Sequence, residues 1–286
     1  MGMADTMQRS GAAIEDDSMA RRDMNDTWRV VLTGERIPPF MIWGRRLLGS
    51  LPSAPRCKLC ASPFGQPGGS VMRLFGKRRW ELNPWLCTIC ALNLGKQVGG
   101  AEVEISLLFA DVRGSTTIAE NLPAGDFAEL LNRFYDIVAD VVDRHGGLVD
   151  KLIGDGVMAL FIPGFSDPHH ARHAIEAGRE LLRRVQNRDK AETDLPIGAG
   201  VHTGSAFVGI VGSGNVLDFT AVGDATNVAA RLGAAAGPGE LFVSYEAARA
   251  GELDAQGLEQ RHLQVKGRVQ PLDVWVVRAA DDTPPL

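Results

Sequence analysis

The sequence LLFADVRGSTT, residues 107–117, decides the architecture of this chain, together with LVDKLIGDGVMALF over residues 148–161. Each stretch places an aspartate, Asp111 or Asp155, beside an apolar run of the length and composition typical of a strand. The first aspartate is followed by Gly-Ser-Thr-Thr, a turn that can open a helix. The second lies in Gly-Asp-Gly between two apolar segments, which predicts a tight hairpin with the acid at its tip.

These two acids and the turn between them indicate chemistry on phosphate groups. Carboxylates at neighbouring strand ends can share divalent cations, so we expect Asp111 and Asp155 to be metal ligands. Backbone amides in a turn that leads into a helix suit phosphate oxygens, which makes Gly114, Ser115 and Thr116 candidate substrate-binding residues. A single aspartate at a strand end is more often a turn former or a helix cap, so the interpretation depends on the other motifs.

Four motifs together resemble the catalytic domain of class III nucleotidyl cyclases. They are FADVRGST, DKLIGDGVMA, GVHTG and FTAVGDATNVAARL, and the resemblance extends over residues 102–277 in the family's order. It implies conversion of a nucleoside triphosphate to a 3′,5′-cyclic monophosphate and pyrophosphate. It also implies an α+β, ferredoxin-like domain with an antiparallel-rich sheet and helices on one face. The alternation of apolar segments favours the same architecture, because it indicates two βαβ-like passes with added hairpins.

The resemblance implies a role for each candidate residue. Asp111 and Asp155 match the ligands of two Mg²⁺ or Mn²⁺ ions. Asn227 and Arg231 match the catalytic pair that orients the ribose and neutralises charge on the α-phosphate, and their spacing of four places them on one helix face. Lys266 matches a lysine that contacts phosphate, on a weaker motif.

Lys151 and Thr220 occupy the two positions that read the purine base in the family. Adenine accepts a hydrogen bond at N1 and donates one from N6, whereas guanine reverses both. A lysine donor therefore favours adenine, and ATP is the expected substrate. A hydroxyl can donate as well as accept, so guanylate specificity stays an alternative. Taken singly, Lys151 and Thr220 could also be an ordinary surface lysine and an ordinary strand residue.

In the family, the metal-binding residues of a site come from one domain and its transition-state residues from a second domain. This chain carries both sets in a single cyclase domain. We therefore expect a head-to-tail homodimer with two equivalent sites. An alternative from another functional class is a catalytically silent or strictly gated nucleotide-binding scaffold, controlled by the segment that precedes the domain.

That segment contains all four cysteines, arranged as two CxxC pairs: Cys57 with Cys60, and Cys87 with Cys90. Paired CxxC motifs predict a tetrathiolate metal site, for which Zn²⁺ is the commonest occupant. An iron–sulfur cluster is the alternative, and disulfides are less favoured in a reducing compartment.

Composition limits the choice of partners. The net charge of −5 gives no support to bulk binding of nucleic acid or of an acidic membrane surface. No apolar run reaches the length of a membrane span, and no secretory signal is visible, so a cytoplasmic location is expected. A basic stretch between the cysteine pairs, FGKRRW, is interpreted as a solvated or docking face rather than a nucleic-acid surface.

The chain is predicted to contain five successive parts. They are a disordered tail (1–22), a short helical arm (23–56), the four-cysteine module with a linker (57–100), the cyclase domain (101–279) and a final tail (280–286).

Within the domain, the periodicity predicts helices over 124–145 and 167–187 and separate strands over 196–202 and 205–211. His169 and His173 lie four residues apart on the second helix. That spacing could bind a metal, but a solvated first turn is preferred, since no carboxylate completes the pair.

Overall fold

A computed structural model describes most of the chain. The described residues are 25–26, 28–35, 47–48, 55–80, 86–95, 99–186, 195–213, 216–264 and 271–279. The two predicted tails, 1–22 and 280–286, lie outside the described residues, and the predicted arm over 23–56 is described only in part.

The described residues form alternating helices and strands. In chain order these are α1 (Gly68–Leu74), α2 (Thr88–Gly95), β1 (Gly100–Val112), α3 (Ser115–Asn121), α4 (Ala124–Arg144), β2 (Leu148–Ile153), β3 (Gly156–Phe161), α5 (Pro163–Ser166), α6 (His170–Gln186), β4 (Ile197–Ser213), β5 (Val216–Val222), α7 (Asp224–Ala235), β6 (Glu240–Ser244), α8 (Tyr245–Ala250), β7 (Glu259–Leu263) and β8 (Leu272–Arg278).

The chain divides into two compact units. One contains residues Met1–Val103 and Phe207–Thr220, and the other contains Glu104–Ala206 and Ala221–Leu286. In the first unit, residues 28–33 are helical and Trp28 is buried. The Trp28 ring stacks on Phe219, with 6.2 Å between the ring centroids. β5 pairs with β4 beside this contact.

The sheet of the second unit follows the order β2-β3-β1-β4-β6-β8-β7. The pairs β1–β3, β2–β3, β6–β8 and β7–β8 are antiparallel, whereas β4 and β6 run parallel. This antiparallel-rich α+β arrangement confirms the fold class expected from the sequence.

Two hydrophobic cores lie on the two faces of this sheet. The larger core joins apolar residues of α4, α6 and α8 to one face of β1, β3, β4 and β6. The smaller core joins α7 to the opposite face of β6 and β8. Alternation along β6 shows the division, because Leu241 and Val243 face the larger core while Phe242 faces the smaller one. α7 therefore covers the sheet face that the other long helices leave open, so helices lie on both faces of the sheet and not on one face as the sequence predicted.

Two predicted element boundaries were wrong. The expected pair of strands over 196–202 and 205–211 is one continuous strand, β4. Buried hydrogen bonds keep the chain extended at residues 202 and 203, where the sequence predicted a break. His202 Nδ1 lies 2.9 Å from Ser244 Oγ, and Thr203 Oγ1 lies 2.6 Å from Ser106 Oγ.

The helix expected over 167–187 is α6, which begins at His170 and ends at Gln186, while the short helix α5 lies before the expected range. Asp167 has a φ of 70°, which ends α5, and its Oδ1 accepts a hydrogen bond from the His169 amide at 2.7 Å. Asp167 therefore separates α5 from α6, and α6 begins three residues after the predicted start.

Glycines allow α7 to approach the sheet at backbone distance. A Cβ at Gly200 would lie 2.3 Å from the Gly233 nitrogen, and a Cβ at Gly233 would lie 2.8 Å from Phe109 Cβ. Side chains at these positions would push α7 away from β1 and β4, which carry the motif residues.

Among the described residues, no helix combines the length and the apolar composition needed to cross a membrane.

Gly200→Ala is expected to destabilise the protein by about 1–3 kcal/mol, because the new methyl group meets backbone atoms that cannot rotate away. Gly125→Ala is a matched control, since a Cβ there meets nothing within 4 Å on a helix. The control should be neutral or gain up to about 1 kcal/mol. Chemical denaturation of both variants measures the difference, and equal stabilities would contradict the tight approach of α7.

Candidate active site

Strand pairing brings Asp111 and Asp155 together. Asp111 near the end of β1 lies opposite Gly156 at the start of β3, and Asp155 occupies the β2–β3 turn directly before it. The Val112 amide donates a hydrogen bond to the carbonyl oxygen of Asp155 at 3.3 Å. Gly154, with a φ of 61°, supplies the left-handed conformation that the turn requires.

Both aspartates line a cavity of about 220 Å³. Its remaining walls are apolar or small: Phe109, Ala110, Ile153, Gly156, Val157, Ala230, Gly233 and Ala234. A Cβ at Gly156 would lie 3.4 Å from Asp111 Oδ1, so the absence of a side chain there leaves room beside the carboxylate. Two carboxylates at one side of a small cavity form a donor set that fits hard divalent cations.

Arg113 holds Asp111 in position. Its Nη2 atom lies 2.7 Å from Asp111 Oδ2, and the same guanidinium donates to the carbonyl oxygens of Gly233 at 3.0 Å and Ala234 at 2.7 Å. Arg113 therefore connects the acid to the last turn of α7. Arg113 was not predicted as a site residue from the sequence, although its position two residues after Asp111 places it on the same side of an extended chain.

Tyr135 is a second residue that the sequence analysis did not identify. Its hydroxyl donates a hydrogen bond to the Gly154 carbonyl oxygen, which fixes the turn that carries Asp155. Burial and, to a smaller extent, the charge of Asp155 raise the pKa of Tyr135, so the phenol keeps its proton and remains a donor.

Burial raises the pKa of Asp111 above its ordinary value. Arg113 opposes this shift, and the neighbouring charge of Asp155 adds to it. The ionised acid pair is therefore unfavourable in the metal-free protein, and a cation between the carboxylates would relieve it.

The turn after β1 leads into α3 as expected. Gly114 has a φ of 68° and precedes Ser115, the first residue of α3, and Thr116 is exposed in the first turn. Ser115 is half-buried.

Asn227 and Arg231 lie on α7, as the sequence predicted, but neither lines the cavity beside the two aspartates. Ala230, Gly233 and Ala234 form the part of α7 that faces this cavity. Asn227 is exposed and Arg231 is half-buried.

The two base-reading candidates have different surroundings. Lys151 lies half-buried on β2, with its Nζ atom 3.9 Å from Asp150 Oδ2. Thr220 belongs to the first unit and is buried on β5. Lys266 lies outside the described residues.

The four cysteines converge in the first unit. The Sγ atoms of Cys57, Cys60, Cys87 and Cys90 all lie within 4.8 Å of one another, inside a small core that includes Leu86. A tetrahedral ion with sulfur ligands at about 2.3 Å sets neighbouring sulfurs roughly 3.8 Å apart. The Sγ atoms of Cys60 and Cys87 are 3.7 Å apart, so the donor set fits a single tetrahedral ion.

The thiols influence one another strongly. The hydrogen bond with Cys57 is the main cause that lowers the pKa of Cys60 and that of Cys87, the latter to about 7. The hydrogen bond with Cys60 raises the pKa of Cys57, and the one with Cys57 raises the pKa of Cys90. Neighbouring thiolates repel one another, so a bound cation is what allows all four to ionise. Lys77 Nζ lies 3.9 Å from Cys60 Sγ and supports its negative charge.

Residues 100–278 match the family model of the adenylate and guanylate cyclase catalytic domain. This match covers more than half of the chain, and the chain belongs to that family.

Relatives with curated sequences match over part of their length. An uncharacterised protein of Mycobacterium tuberculosis strain H37Rv is 34% identical over 180 residues, which are 62% of this chain and 33% of that protein. An adenylate cyclase of Anabaena cylindrica is 33% identical over 141 residues, 48% of this chain and 28% of that protein. The chain thus spans about a third of the length of these relatives.

Solved structures agree with this family assignment. The guanylyl cyclase Cya2 is similar with a TM-score of 0.58 and 29% identity, covering 65% of this chain and 98% of that chain. The adenylyl cyclase CyaB from P. aeruginosa has a TM-score of 0.56 and 28% identity, with coverages of 65% and 97%. The two structures differ in the base of their substrate, so similarity to them shows the class of enzyme and leaves the base open.

Asp111→Asn is expected to raise the melting temperature of the metal-free protein. A raised folded-state pKa means that Asp111 adds stability below its ordinary pKa of 3.8, and this contribution is lost as pH rises through the raised value. At neutral pH the charged acid therefore costs stability, which an amide removes. Calorimetry with and without Mn²⁺ measures this effect.

The matched control for this experiment is Asp136→Asn, which changes an exposed acid on α4. The control should keep the wild-type melting temperature and the full stabilisation by Mn²⁺, which Asp111→Asn should largely lose. A lower melting temperature for metal-free Asp111→Asn at neutral pH would contradict the unfavourable acid pair.

Proposed function

We propose that this protein is an adenylate cyclase that converts ATP to 3′,5′-cyclic AMP and pyrophosphate in a homodimer with shared active sites. The observation that supports this most directly is the cavity of the cyclase domain that both Asp111 and Asp155 line. The lining of the cavity supports a shared site, because Asn227 and Arg231 of the same chain are not among the residues that line it.

Asp111 and Asp155 would hold two Mg²⁺ or Mn²⁺ ions, and cyclase domains of this family use such divalent metals. When bound, the ions lower the pKa of the ribose 3′-hydroxyl and offset the charge of the triphosphate. Arg113 keeps Asp111 aimed at the cavity through its hydrogen bonds to α7. The turn of Gly114, Ser115 and Thr116 would present backbone amides to phosphate oxygens.

The remaining steps depend on positioning and charge. The 3′-hydroxyl gives up its proton to water, its oxygen attacks the α-phosphorus in line with the departing pyrophosphate, and negative charge increases on the oxygens of the α-phosphate. Arg231 would neutralise that charge, and Asn227, on the same face of α7, would orient the ribose. Lys266 would contact the polyphosphate.

A second protomer would supply Asn227 and Arg231 of its α7 to each cavity. Cyclase domains of this family bind a nucleotide and act as dimers. Since Ala230, Gly233 and Ala234 face the chain's own aspartates, its Asn227 and Arg231 are available to a partner's site. A head-to-tail twofold dimer would create two equivalent composite sites.

Subunit mixing tests this arrangement. Asp111→Ala should abolish turnover, and Arg231→Ala should lower kcat by about 10²–10³-fold. After subunit exchange, half of the dimers combine both variants, and each mixed dimer has one intact site, so about a quarter of wild-type activity should return. A mixture of Asp111→Ala with Asp155→Ala is the matched control and should stay inactive, because one protomer supplies both acids. Failure of the first mixture with verified exchange would exclude shared sites.

Lys151 and Thr220 are the residues we assign to base recognition. A protonated lysine donates to N1 of adenine and cannot accept from the N1–H of guanine. Lys151→Glu is therefore expected to lower kcat/KM for ATP relative to GTP by about ten- to hundredfold. Turnover with each nucleotide, with the cyclic product resolved by chromatography, measures the ratio. Cyclic GMP as the main wild-type product would make guanylate cyclase the correct assignment.

For the four-cysteine module we propose a single Zn²⁺ ion. Sulfur atoms within 4.8 Å of one another suit one ion, whereas an iron–sulfur cluster places several metal atoms between its thiolates. Purified protein is expected to contain zinc and no acid-labile sulfide. A visible charge-transfer spectrum with stoichiometric iron and sulfide would favour the cluster.

A further inference from the structure

A second cluster of potential metal ligands lies in the helical layer of the second unit. His145 directly follows the last residue of α4, and His173 and Glu176 lie on the first turns of α6. One potential ligand atom from each of these side chains lies within 4.8 Å of the other two. All three are half-buried, so they share a crevice between two helices instead of pointing freely into solvent.

Each imidazole is oriented by a carboxylate on one of its two nitrogens. His145 Nε2 lies 2.8 Å from Glu180 Oε2, and His173 Nε2 lies 3.1 Å from Asp167 Oδ2. An ionised carboxylate only accepts hydrogen bonds, so these contacts favour the neutral tautomer with the proton on Nε2, in which Nδ1 can bind a metal. His145 Nδ1 lies 3.8 Å from Glu176 Oε2, the carboxylate that completes the cluster.

Glu180, the carboxylate that orients His145, has a second partner. Arg144 Nη1 lies 3.0 Å from Glu180 Oε1, which leaves Glu180 as a bridge between Arg144 and the His145 ring. Metal-binding histidines commonly donate their second nitrogen to a carboxylate in this way, because the carboxylate fixes the ring and strengthens the ligand. Glu180 and Asp167 therefore serve as supports, and Glu176 is the carboxylate available to a metal.

We propose that His145, His173 and Glu176 form a binding site for a divalent transition-metal ion, Zn²⁺ by preference, distinct from the Asp111/Asp155 cavity. Two imidazoles and one carboxylate, with a fourth position for water, are a familiar zinc ligand set. Mg²⁺ and Ca²⁺ prefer oxygen ligands and would bind poorly. Ligand atoms at about 2.1 Å from the ion lie roughly 3.4 Å apart, which side-chain rotation in a half-buried crevice can reach.

The ion would join two parts of the domain that lie far apart in sequence. His145 precedes β2, the strand that carries Lys151 and leads to Asp155, while His173 and Glu176 belong to α6. Coordination would fix the α4–β2 turn onto α6. The bound protein should therefore unfold at a higher temperature, because the ion binds the folded state alone.

Zinc content measured after equilibrium dialysis tests the site. The protein is dialysed against buffered Zn²⁺ with excess Mg²⁺ to occupy the aspartates, and zinc is quantified by mass spectrometry. His173→Ala is expected to hold one zinc ion fewer per chain than wild type and to lose the matching increase in melting temperature. The difference between variants cancels any zinc at the cysteines.

His169→Ala is the matched control, since His169 is exposed, lies four residues before His173 and is not part of the cluster. It should keep the wild-type zinc content and thermal shift. Glu180→Gln should retain the ligands but weaken zinc affinity by about 10–100-fold, as expected for a supporting carboxylate. Unchanged zinc content in His173→Ala, or an equal loss in His169→Ala, would overturn the proposal, with circular dichroism confirming that each variant is folded.

Discussion

The antiparallel pairing of β1 with β3 is the constraint on which the site depends. Its register places Asp111 opposite Gly156, and the tight β2–β3 turn then leaves Asp155 beside the end of β1. Because the pairing runs from Ser106 to Asp111, a slip of one residue would exchange the two buried faces of β1 as well as separate the acids. Burial of the sheet therefore secures the geometry of the cavity.

The same geometry has an energetic cost. Burial and the charge of Asp155 raise the pKa of Asp111, and Arg113 compensates in part through its ion pair. Arg113 also bonds to the carbonyl oxygens of Gly233 and Ala234, so it connects the acid to α7. A site that holds two partly buried carboxylates close together is unfavourable when empty and well suited to cations. Affinity for metal and reduced stability without it have one physical origin.

Metal ions at the three candidate sites would affect the protein in different ways, through folding, stability or catalysis. The four thiols sit in a core of a few residues, where a bound ion would supplement the small hydrophobic interior. The cluster of His145, His173 and Glu176 lies between helices that are already packed, so an ion there would add stability without being required for folding. The ions at Asp111 and Asp155 would serve the chemistry.

The sequence by itself determined the class of fold, the hairpin around Asp155, the α7 position of Asn227 and Arg231, and the convergence of four cysteines. The hairpin and the helix depend on local patterns, since apolar periodicity and turn chemistry act over a few residues, whereas the fold class was implied by the family motifs and the cysteine site by the paired CxxC motifs. The tertiary structure alone decided the role of Arg113, the continuity of β4 and the pairing of His173 with His145 instead of His169. It also placed α7 on the opposite sheet face. Each of these depends on contacts between residues far apart in sequence, which no local pattern encodes.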